Sequence, residues 1–424
     1  MRIGQILHES PFGGGGVQVH VRRLCDDLVA RGHHVEVLSN GSDARDSRGD
    51  GWSHRSSRLP RPDAWDAGRS VAASAANWAR AARLDVVHVH HVAGHGAALV
   101  PALRGAGRAV VATLHDYSHA CARGQMWSDE GRCTTLDAER CAACIAATWP
   151  DLRLPADPPA ALRARWAEVA RDLSAAHALV APDPDGAGVL ARRWPHGECP
   201  PLVVVENGIR AERLARAVAG WRARLAPRDP RLFVYGVAGA LLPSKGVVEF
   251  ARAVSECDDP TIVLEVHGAA SAARGSARCL EDLRALAAID ERIHLAGPFA
   301  PVELPRILAR LDALAAPALW DEVHGFSVRE GLAAGLWTAT TGRGGLAGVR
   351  RLDPEALLLP ADDPRAWSAL VSRAARRWRS LERRPARARD ALECAKECEA
   401  LYARALRQAS SHASMSAAPG RLQS

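Results

Sequence analysis

The residues best suited to chemistry fall in four short stretches of the chain. Lys245, in Leu242-Pro243-Ser244-Lys245-Gly246-Val247, sits at a strand-to-helix junction. An ammonium placed there can neutralise a diphosphate as a point charge. A solvated surface lysine is the alternative, but it loses weight in a chain with only two lysines, Lys245 and Lys396, among 55 basic residues. The run from Glu322 to Glu330, Glu-Val-His-Gly-Phe-Ser-Val-Arg-Glu, follows an apolar strand and opens a helix. It puts Glu322 in a loop and Glu330 in the first helical turn, with N–H groups between them able to hold hydroxyls or phosphate oxygens. Ser327-x-x-Glu330 also reads as a capping box, which would occupy the same carboxylate. His115, in Leu114-His115-Asp116-Tyr117, ends a parallel strand, where open α/β sheets gather ligands. Its alternative is a histidine satisfying a loop carbonyl. Gly13 to Gly16 separate the first strand from the first helix, either as a backbone cradle for an anion or as a tight turn needing positive φ.

A different chemistry is offered by Cys121, Cys133, Cys141 and Cys144, which lie within 24 residues. Cys141-Ala-Ala-Cys144 has zinc-knuckle spacing, and four thiolates can form a tetrahedral structural zinc site. The wider spacing of the first pair is not standard, and buried reduced thiols or an occasional disulfide are the alternatives. Zinc bound there would shape the neighbouring loop and do no chemistry. Cys394 and Cys398, one helical turn apart, read as packing or surface residues.

The elements that must position these residues are short apolar strands alternating with helical stretches. Strands are expected at 3–7, 35–38, 85–89, 109–114 and 202–205, then at 232–237, 261–266, 292–295, 313–316, 337–341 and 356–359. A helix is expected at 17–30, with Val17, Val21, Leu24, Cys25 and Leu28 on one face and Gly32 as its stop. A further helical run is expected around 160–176. Such alternation implies βαβ units on parallel sheets, and 424 residues imply two domains. The expected organisation is an N-terminal Rossmann-like domain over 1–208, carrying a cysteine-rich insertion at about 118–146, and a C-terminal one over 209–386. The linker falls near 207–230, a helix at 387–408 packs back on the first domain, and 409–424 form a disordered tail. The arginine-rich stretch 45–62 reads as a mobile loop, and no fixed-period repeat is present.

Composition narrows the function classes. With 48% hydrophobic and 24% charged residues the chain is of ordinary globular type. The net charge of +7 favours anionic partners, among them a sugar nucleotide or a phospholipid surface. It is spread along the chain without basic blocks or interleaved aromatics, which argues against nucleic acid. No stretch reaches the roughly 20 apolar residues that span a bilayer. Met1-Arg2 runs straight into a strand with no secretory pattern, so a cytoplasmic location is expected, with peripheral membrane contact left open.

Taken in order, these pieces resemble the family-four retaining glycosyltransferases of the GT-B fold, in which two Rossmann-like, doubly wound domains face a central cleft. The resemblance runs through Gly-Gly-Val-Gln-Val-His-Val at 15–21, Asp85-Val-Val-His-Val-His, His115-Asp116-Tyr117, Val205-Glu-Asn207-Gly208 and Pro243-Ser-Lys245-Gly246. It continues through the paired glutamates, Gly344-Gly345 and Glu399-Ala-Leu-Tyr402. A subset of that family carries a similar cysteine-bearing insertion after its His-Asp-Tyr motif.

The resemblance implies roles for individual residues. Gly15 and Gly16 border the donor phosphate and the acceptor pocket, and His115 lies beside the transferred sugar. Lys245 binds the diphosphate, and Glu322 holds sugar hydroxyls with help from the N–H groups of His324 and Gly325. Phe326 and Ser327 present N–H groups to phosphate, and Glu330 bonds the ribose. It further implies a nucleotide-sugar co-substrate in the C-terminal domain, an acceptor on the N-terminal one, closure by domain rotation, and no cofactor or divalent metal for the chemical step. The chain departs from the pattern at Ala240, where an arginine five residues before the lysine is usual, at Gly348, where a glutamate is common, and at His324. Arg343 is a candidate to replace the missing cation. A nucleotide-sugar-binding protein without turnover, and an epimerase or hydrolase of nucleotide sugars on the same architecture, are the alternative functions.

Overall fold

Apolar strands that alternate with amphipathic helices build one parallel sheet in each of two units. The computed structural model describes residues 1–39, 47–48, 51–56, 69–92, 95–96, 98–382 and 385–416. Unit 1 comprises Met1–Gly124, Thr135–Asn207 and Ala391–Ser424; unit 2 comprises Gln125–Thr134 and Gly208–Asp390.

In unit 1 the chain runs through β1 (Arg2–Leu7), α1 (Gly16–Ala30), β2 (His34–Ser39), β3 (Ser47–Arg48), β4 (Ser53–Ser56), α2 (Arg69–Ala81), β5 (Val86–Val89), α3 (Leu99–Gly105) and β6 (Ala109–Thr113). A hairpin, β7 (Trp127–Ser128) and β8 (Gly131–Arg132), groups with unit 2. Unit 1 then resumes with α4 (Ala138–Thr148), α5 (Pro158–Ser174), β9 (Ala178–Ala181), α6 (Pro184–Arg192) and β10 (Leu202–Val204). The strand order is β10-β9-β6-β5-β1-β2-β4-β3, parallel throughout except for β3 against β4. β1 has β2 on one side and β5 on the other, so the winding reverses beside it and leaves a crevice at the strand C-termini. His90 and His115 follow β5 and β6 at that edge.

Two differences from the expected elements have simple causes. The stretch 45–62 contains β3 and β4, and β4 extends the sheet with His54 and Ser56 turned inward and Arg55 outward. Its polar composition hides a period-2 pattern one strand in from the sheet edge, where charge is normal. Trp52, just before β4, is buried in the core of unit 1, while 45–46, 49–50 and 57–62 lie outside the described residues. β9 went unread because a four-residue apolar run beside a helix cannot be told from the helix's end by periodicity.

Unit 2 continues with α7 (Ala211–Arg222), β11 (Phe233–Ala238), a 3-10 turn at Pro243–Lys245, α8 (Val247–Ser255), β12 (Ile262–His267), α9 (Ser276–Ile289) and β13 (Ile293–Gly297). It ends with α10 (Leu304–Arg310), β14 (Ala313–Ala316), α11 (Phe326–Ala333), β15 (Trp337–Thr340), α12 (Val349–Leu352), β16 (Leu357–Leu358) and α13 (Trp367–Arg379). The order β13-β12-β11-β14-β15-β16 is wholly parallel and reverses between β11 and β14. Helices cover both faces. On one, Phe250, Trp367 and Trp378 pack on Tyr235; on the other, Val218, Ile307 and Leu308 pack on Val234 and Leu314. Each fully buried large side chain of this kind contributes about 1.5–3 kcal/mol. Much of the expected linker, 207–230, is α7, whose apolar stripe binds it to α10 within this unit.

The last helix, α14 (Ala391–Ser416), belongs to unit 1. Cys394, Cys398, Leu401, Tyr402 and Ala405 follow helical spacing and join Ile3, Leu7, Leu24 and Val111 in one core. The helix runs past 408 into the stretch expected as a tail; 417–424 lie outside the described residues. Among the described residues, no helix is long and apolar enough to cross a membrane.

Candidate functional site

In unit 2, the loops after β11 and β14 meet where the winding reverses. Gly246 draws them together: its φ is +66°, and a Cβ there would stand 2.1 Å from the Pro317 carbonyl oxygen. The Leu319 N–H donates to the Ser244 carbonyl at 2.8 Å. As a result Lys245 Nζ donates to Glu322 Oε2 at 2.6 Å, and the Trp320 indole N–H donates to the same oxygen at 3.1 Å. The ammonium also stands 5.1 Å from the Trp320 ring centroid, a cation–π distance. Lys245 and Glu322 are 30% and 17% exposed, so the pair is shielded yet reachable.

The backbone behind Glu322 is fixed by close approach. It bridges to Gly344 in parallel, and the Gly345 N–H donates to the Glu322 carbonyl at 2.6 Å. Gly344 has φ +60°, and a Cβ on it would lie 2.1 Å from that carbonyl oxygen.

α11 begins at Phe326 with Gly325 as its N-cap, in left-handed conformation and without a side-chain cap. Ser327 is therefore the second helical residue and Glu330 the fifth, which corrects both the capping box and the first-turn placement. A box needs serine one position before the helix, and that position is held by glycine. The first turn contains no acidic residue, so its N–H groups are a natural anion site. Glu330 is half-buried one turn further on. His324 is buried and packs edge-on against Phe326, with ring centroids 4.4 Å apart. Buried Arg329 holds the loop by donating to the carbonyls of His324 and Gly325. Arg343, the candidate substitute cation, is paired with Asp362.

The hairpin that interrupts the first half of the sequence braces the same loops. Ser244 Oγ donates to Gln125 Oε1 at 2.9 Å, and Arg132 reaches Asp321 at 3.3 Å. Ten residues of the expected cysteine-rich insertion, Gln125–Thr134, thus group with unit 2.

Unit 1 presents a different arrangement at its own sheet edge. His115 Nε2 lies 3.0 Å from His90 Nδ1, and His90 Nε2 lies 2.7 Å from Gln5 Oε1. Gln5 Nε2 donates to the Tyr402 hydroxyl at 3.4 Å; His88 Nδ1 is 2.7 Å from that hydroxyl, and His88 Nε2 is 2.7 Å from Thr113 Oγ1. Next to this chain His91 Nε2 pairs with Asp116 Oδ2 at 2.7 Å, while the Ser118 N–H donates to Asp116 Oδ1 at 2.8 Å. A small cavity is lined by His90, His91, His115, Asp116 and Ser118.

Burial decides the charge state of these rings. Desolvation, with Arg23 nearby, depresses His20 to about 3, and desolvation with His20 nearby does the same for His88. His90 and His115 are held well below the usual histidine range, first by desolvation and then by neighbouring imidazoles, His88 foremost for His90 and His20 for His115. Asp116 is held below the usual carboxylate range by His91 and Ser118, against the opposing effect of burial. The imidazoles of His20, His88, His90 and His115 are therefore neutral at physiological pH. The ring nitrogens of His20, His90 and His115 lie within 4.8 Å of one another. Both nitrogens of His90 are already engaged, by His115 and Gln5, which accounts for the cluster without a metal.

Gly15 is the N-cap of α1 in extended conformation, Gly16 is its first residue, and none of Gly13–Gly16 has positive φ. A turn that needs positive φ is thus not what these glycines form; the helix start has neither a side-chain cap nor a first-turn acid, and the Gln18 amide lies close over Gly15. All ten cysteines are thiols. Cys121, Cys141 and Cys144 belong to unit 1 and Cys133 to unit 2. The three thiols of unit 1 are not among the described groups whose ligand atoms lie within 4.8 Å of one another. Instead Arg123 directs a guanidinium nitrogen at Cys144 Sγ, 3.8 Å away.

Gln5, His88, His90 and Tyr402 were not singled out as site residues by the sequence. A signal was present: Gln5 is the polar member of an apolar inner strand, and His88 and His90 sit two apart on the same strand face. Trp320 gave no such signal.

Residues 14–213 match the family model described as Glycosyltransferase Family 4, and residues 232–377 that described as Glycosyl transferases group 1. No curated protein sequence matches the chain. Among solved structures, sucrose-phosphate synthase from Thermosynechococcus elongatus aligns with a TM-score of 0.68 at 16% identity, over 99% of this chain and 100% of that one. The trehalose 6-phosphate synthase of Burkholderia multivorans aligns at 0.64 and 15% identity, over 97% and 99%. Anabaena HepE, solved with UDP-glucose, aligns at 0.59 and 14% identity, over 98% and 100%. At such identities the likeness establishes the fold, and the fold is GT-B.

Proposed function

The chain belongs to the family-four, group 1 glycosyltransferases, and from that premise we propose that it moves a sugar, with retention of configuration, from a nucleotide-diphosphate sugar to a hydroxyl of a glycan, lipid or small-molecule natural product. The observation that carries this reading is the Lys245–Glu322 pair at the sheet reversal of unit 2, beside the open start of α11. A partly exposed ion pair is worth only about 0.2–1 kcal/mol, so an arriving diphosphate competes readily for the ammonium. Glu322 is then released to accept from sugar hydroxyls.

In the transfer the anomeric C–O bond to the diphosphate breaks, and a new C–O bond to the acceptor forms on the same face. The acceptor proton passes to the departing diphosphate oxygen. Negative charge grows on that diphosphate, where Lys245 and the N–H groups of Phe326 and Ser327 stabilise it electrostatically. Glu330 serves the ribose, His324 and Gly325 lend N–H groups near the sugar, and His115 accepts from a sugar hydroxyl. No step needs a metal or a resident cofactor. HepE was solved with UDP-glucose, so UDP-sugars head the donors to test.

The test is incubation of the full chain with UDP-, GDP-, ADP- and dTDP-sugars and candidate acceptors, read by mass spectrometry and by the configuration of the new bond. Transfer or donor hydrolysis that disappears in Glu322→Ala and His115→Ala supports the proposal; an inverted anomeric configuration overturns retention. One observation favours a second reading, a sugar-nucleotide-binding protein without turnover: position 240 is alanine, and Arg343 is engaged by Asp362. Tight nucleotide binding with no product across the whole panel would establish that reading. A product with an altered hydroxyl centre and no glycosidic bond would mark an epimerase.

A further inference from the structure

The hydrogen-bond chain that ends at His115 starts on α14, and it has a direction. Gln5 turns its carbonyl oxygen to His90 Nε2, 2.7 Å away, and an amide oxygen cannot donate. His90 therefore carries its proton on Nε2 and leaves a lone pair on Nδ1. His115 Nε2, 3.0 Å from that lone pair, must donate to it. A neutral imidazole has one N–H, so the lone pair of His115 is on Nδ1. On the other side of Gln5 the amide nitrogen donates to the Tyr402 oxygen. The Tyr402 proton goes to His88 Nδ1, and His88 Nε2–H goes to Thr113 Oγ1.

All of these groups lie in unit 1, and Gln5, His88, His90 and Tyr402 are buried, out of reach of water that could replace a missing partner. On the side of His90 and His115 two arrangements satisfy every member: this one, and the one in which the Gln5 amide is turned over and each donor there becomes an acceptor; on the other side the Tyr402 hydroxyl also meets the Cys398 thiol. In the second, His115 would present Nδ1–H. The orientation of a single buried amide thus decides whether His115 offers its ligand an acceptor or a donor.

We propose that Tyr402 and Gln5 are positioning residues that hold His115 in the Nε2–H tautomer, so that Nδ1 accepts a hydrogen bond from a ligand hydroxyl. The part of this concerning the ligand rests on the glycosyl-transfer reading; the tautomer does not. Tyr402 acts from the C-terminal helix, which makes that helix part of the site's chemistry as well as of the core.

The experiment is long-range proton–nitrogen correlation on the full chain labelled with 15N-histidine, with His115 assigned by its loss in His115→Asn. His90 and His115 should both appear as neutral Nε2–H tautomers. Tyr402→Phe keeps the ring and deletes the hydroxyl, which frees the Gln5 amide to turn, so His115 should become a mixture of tautomers. Gln5→Glu in that background supplies an acceptor that cannot be turned over and should restore the single tautomer. In the transfer assay Tyr402→Phe should lower kcat about 5- to 10-fold, the rate equivalent of one ordinary hydrogen bond, with donor KM changed by less than about 2-fold. An Nδ1–H tautomer at His115 in the unsubstituted protein overturns the proposal, and so does a His115 tautomer indifferent to the loss of the Tyr402 hydroxyl. If no donor is turned over, the functional reading fails while the tautomer result still decides this one.

Discussion

Two edges built on the same topology carry opposite electrostatics. In unit 2 the loops at the sheet reversal bring together a full positive and a full negative charge, half-shielded beneath an indole. In unit 1 the corresponding edge carries a line of buried, neutral imidazoles joined by an amide and a phenol. Under the glycosyl transfer proposed above, the difference follows from what each edge would bind. A leaving diphosphate gains charge as its bond breaks and needs a cation that is free to move. A hydroxyl needs a dipole of fixed sense, and such a dipole is best held by a desolvated network in which no member can reorient alone. The parallel sheet provides the place, and the side chains of the loops provide the chemistry.

Lys245→Ala tests the charged edge most severely. Transfer should fall on the order of 100- to 1,000-fold, as when one preorganised stabilising group is removed. Thermal stability should barely change, because a partly exposed pair contributes about 1 kcal/mol or less. A kinetic loss of only a few-fold would mean that the two edges differ less than their charges suggest. Gly246→Ala asks whether this edge depends on the close approach of its loops. The left-handed residue and the overlap with the Pro317 carbonyl should cost about 1–3 kcal/mol, read as a lower denaturation midpoint. An unchanged midpoint would show that the loops meet without the glycine.

Acid should single out the neutral edge. His20 and His88 have folded values near 3 against an ordinary 6.5. As pH falls below about 6.5 the unfolded chain takes up protons that the native state refuses, so stability declines through the window from 6.5 toward 3. Each such group contributes a slope that approaches about 1.4 kcal/mol per pH unit. Asp116, held low by His91, acts in the same sense below its ordinary 3.8, where the unfolded carboxylate protonates first. Denaturation midpoints measured between pH 7 and 4 check this. His88→Gln should flatten the decline, and a profile with no slope between pH 6.5 and 5 would contradict the buried neutral state. The smallest effect expected is that of Tyr402→Phe, which changes the direction of the network and leaves its charge as it was.

The sequence by itself determined the period and order of the elements, and with them the two parallel sheets, since apolar strands flanked by helices have few other ways to bury their faces. It also determined that Lys245, Glu322 and His115 lie in the stretches that follow strand C-termini, because each comes after an apolar run and, for the first two, before a helix. Only the tertiary structure decided that Lys245 and Glu322 touch, 77 residues apart, since that depends on Gly246 lying against Pro317. It likewise decided the start of α11 at Phe326, the grouping of Gln125–Thr134 with unit 2, and the alignment of Gln5, His88, His90 and Tyr402 into one directed chain. The physical reason is the range of the interactions. Periodicity reports neighbours within a few residues, whereas an ion pair or a tautomer is set by groups that only the packed fold brings within 3 Å of each other.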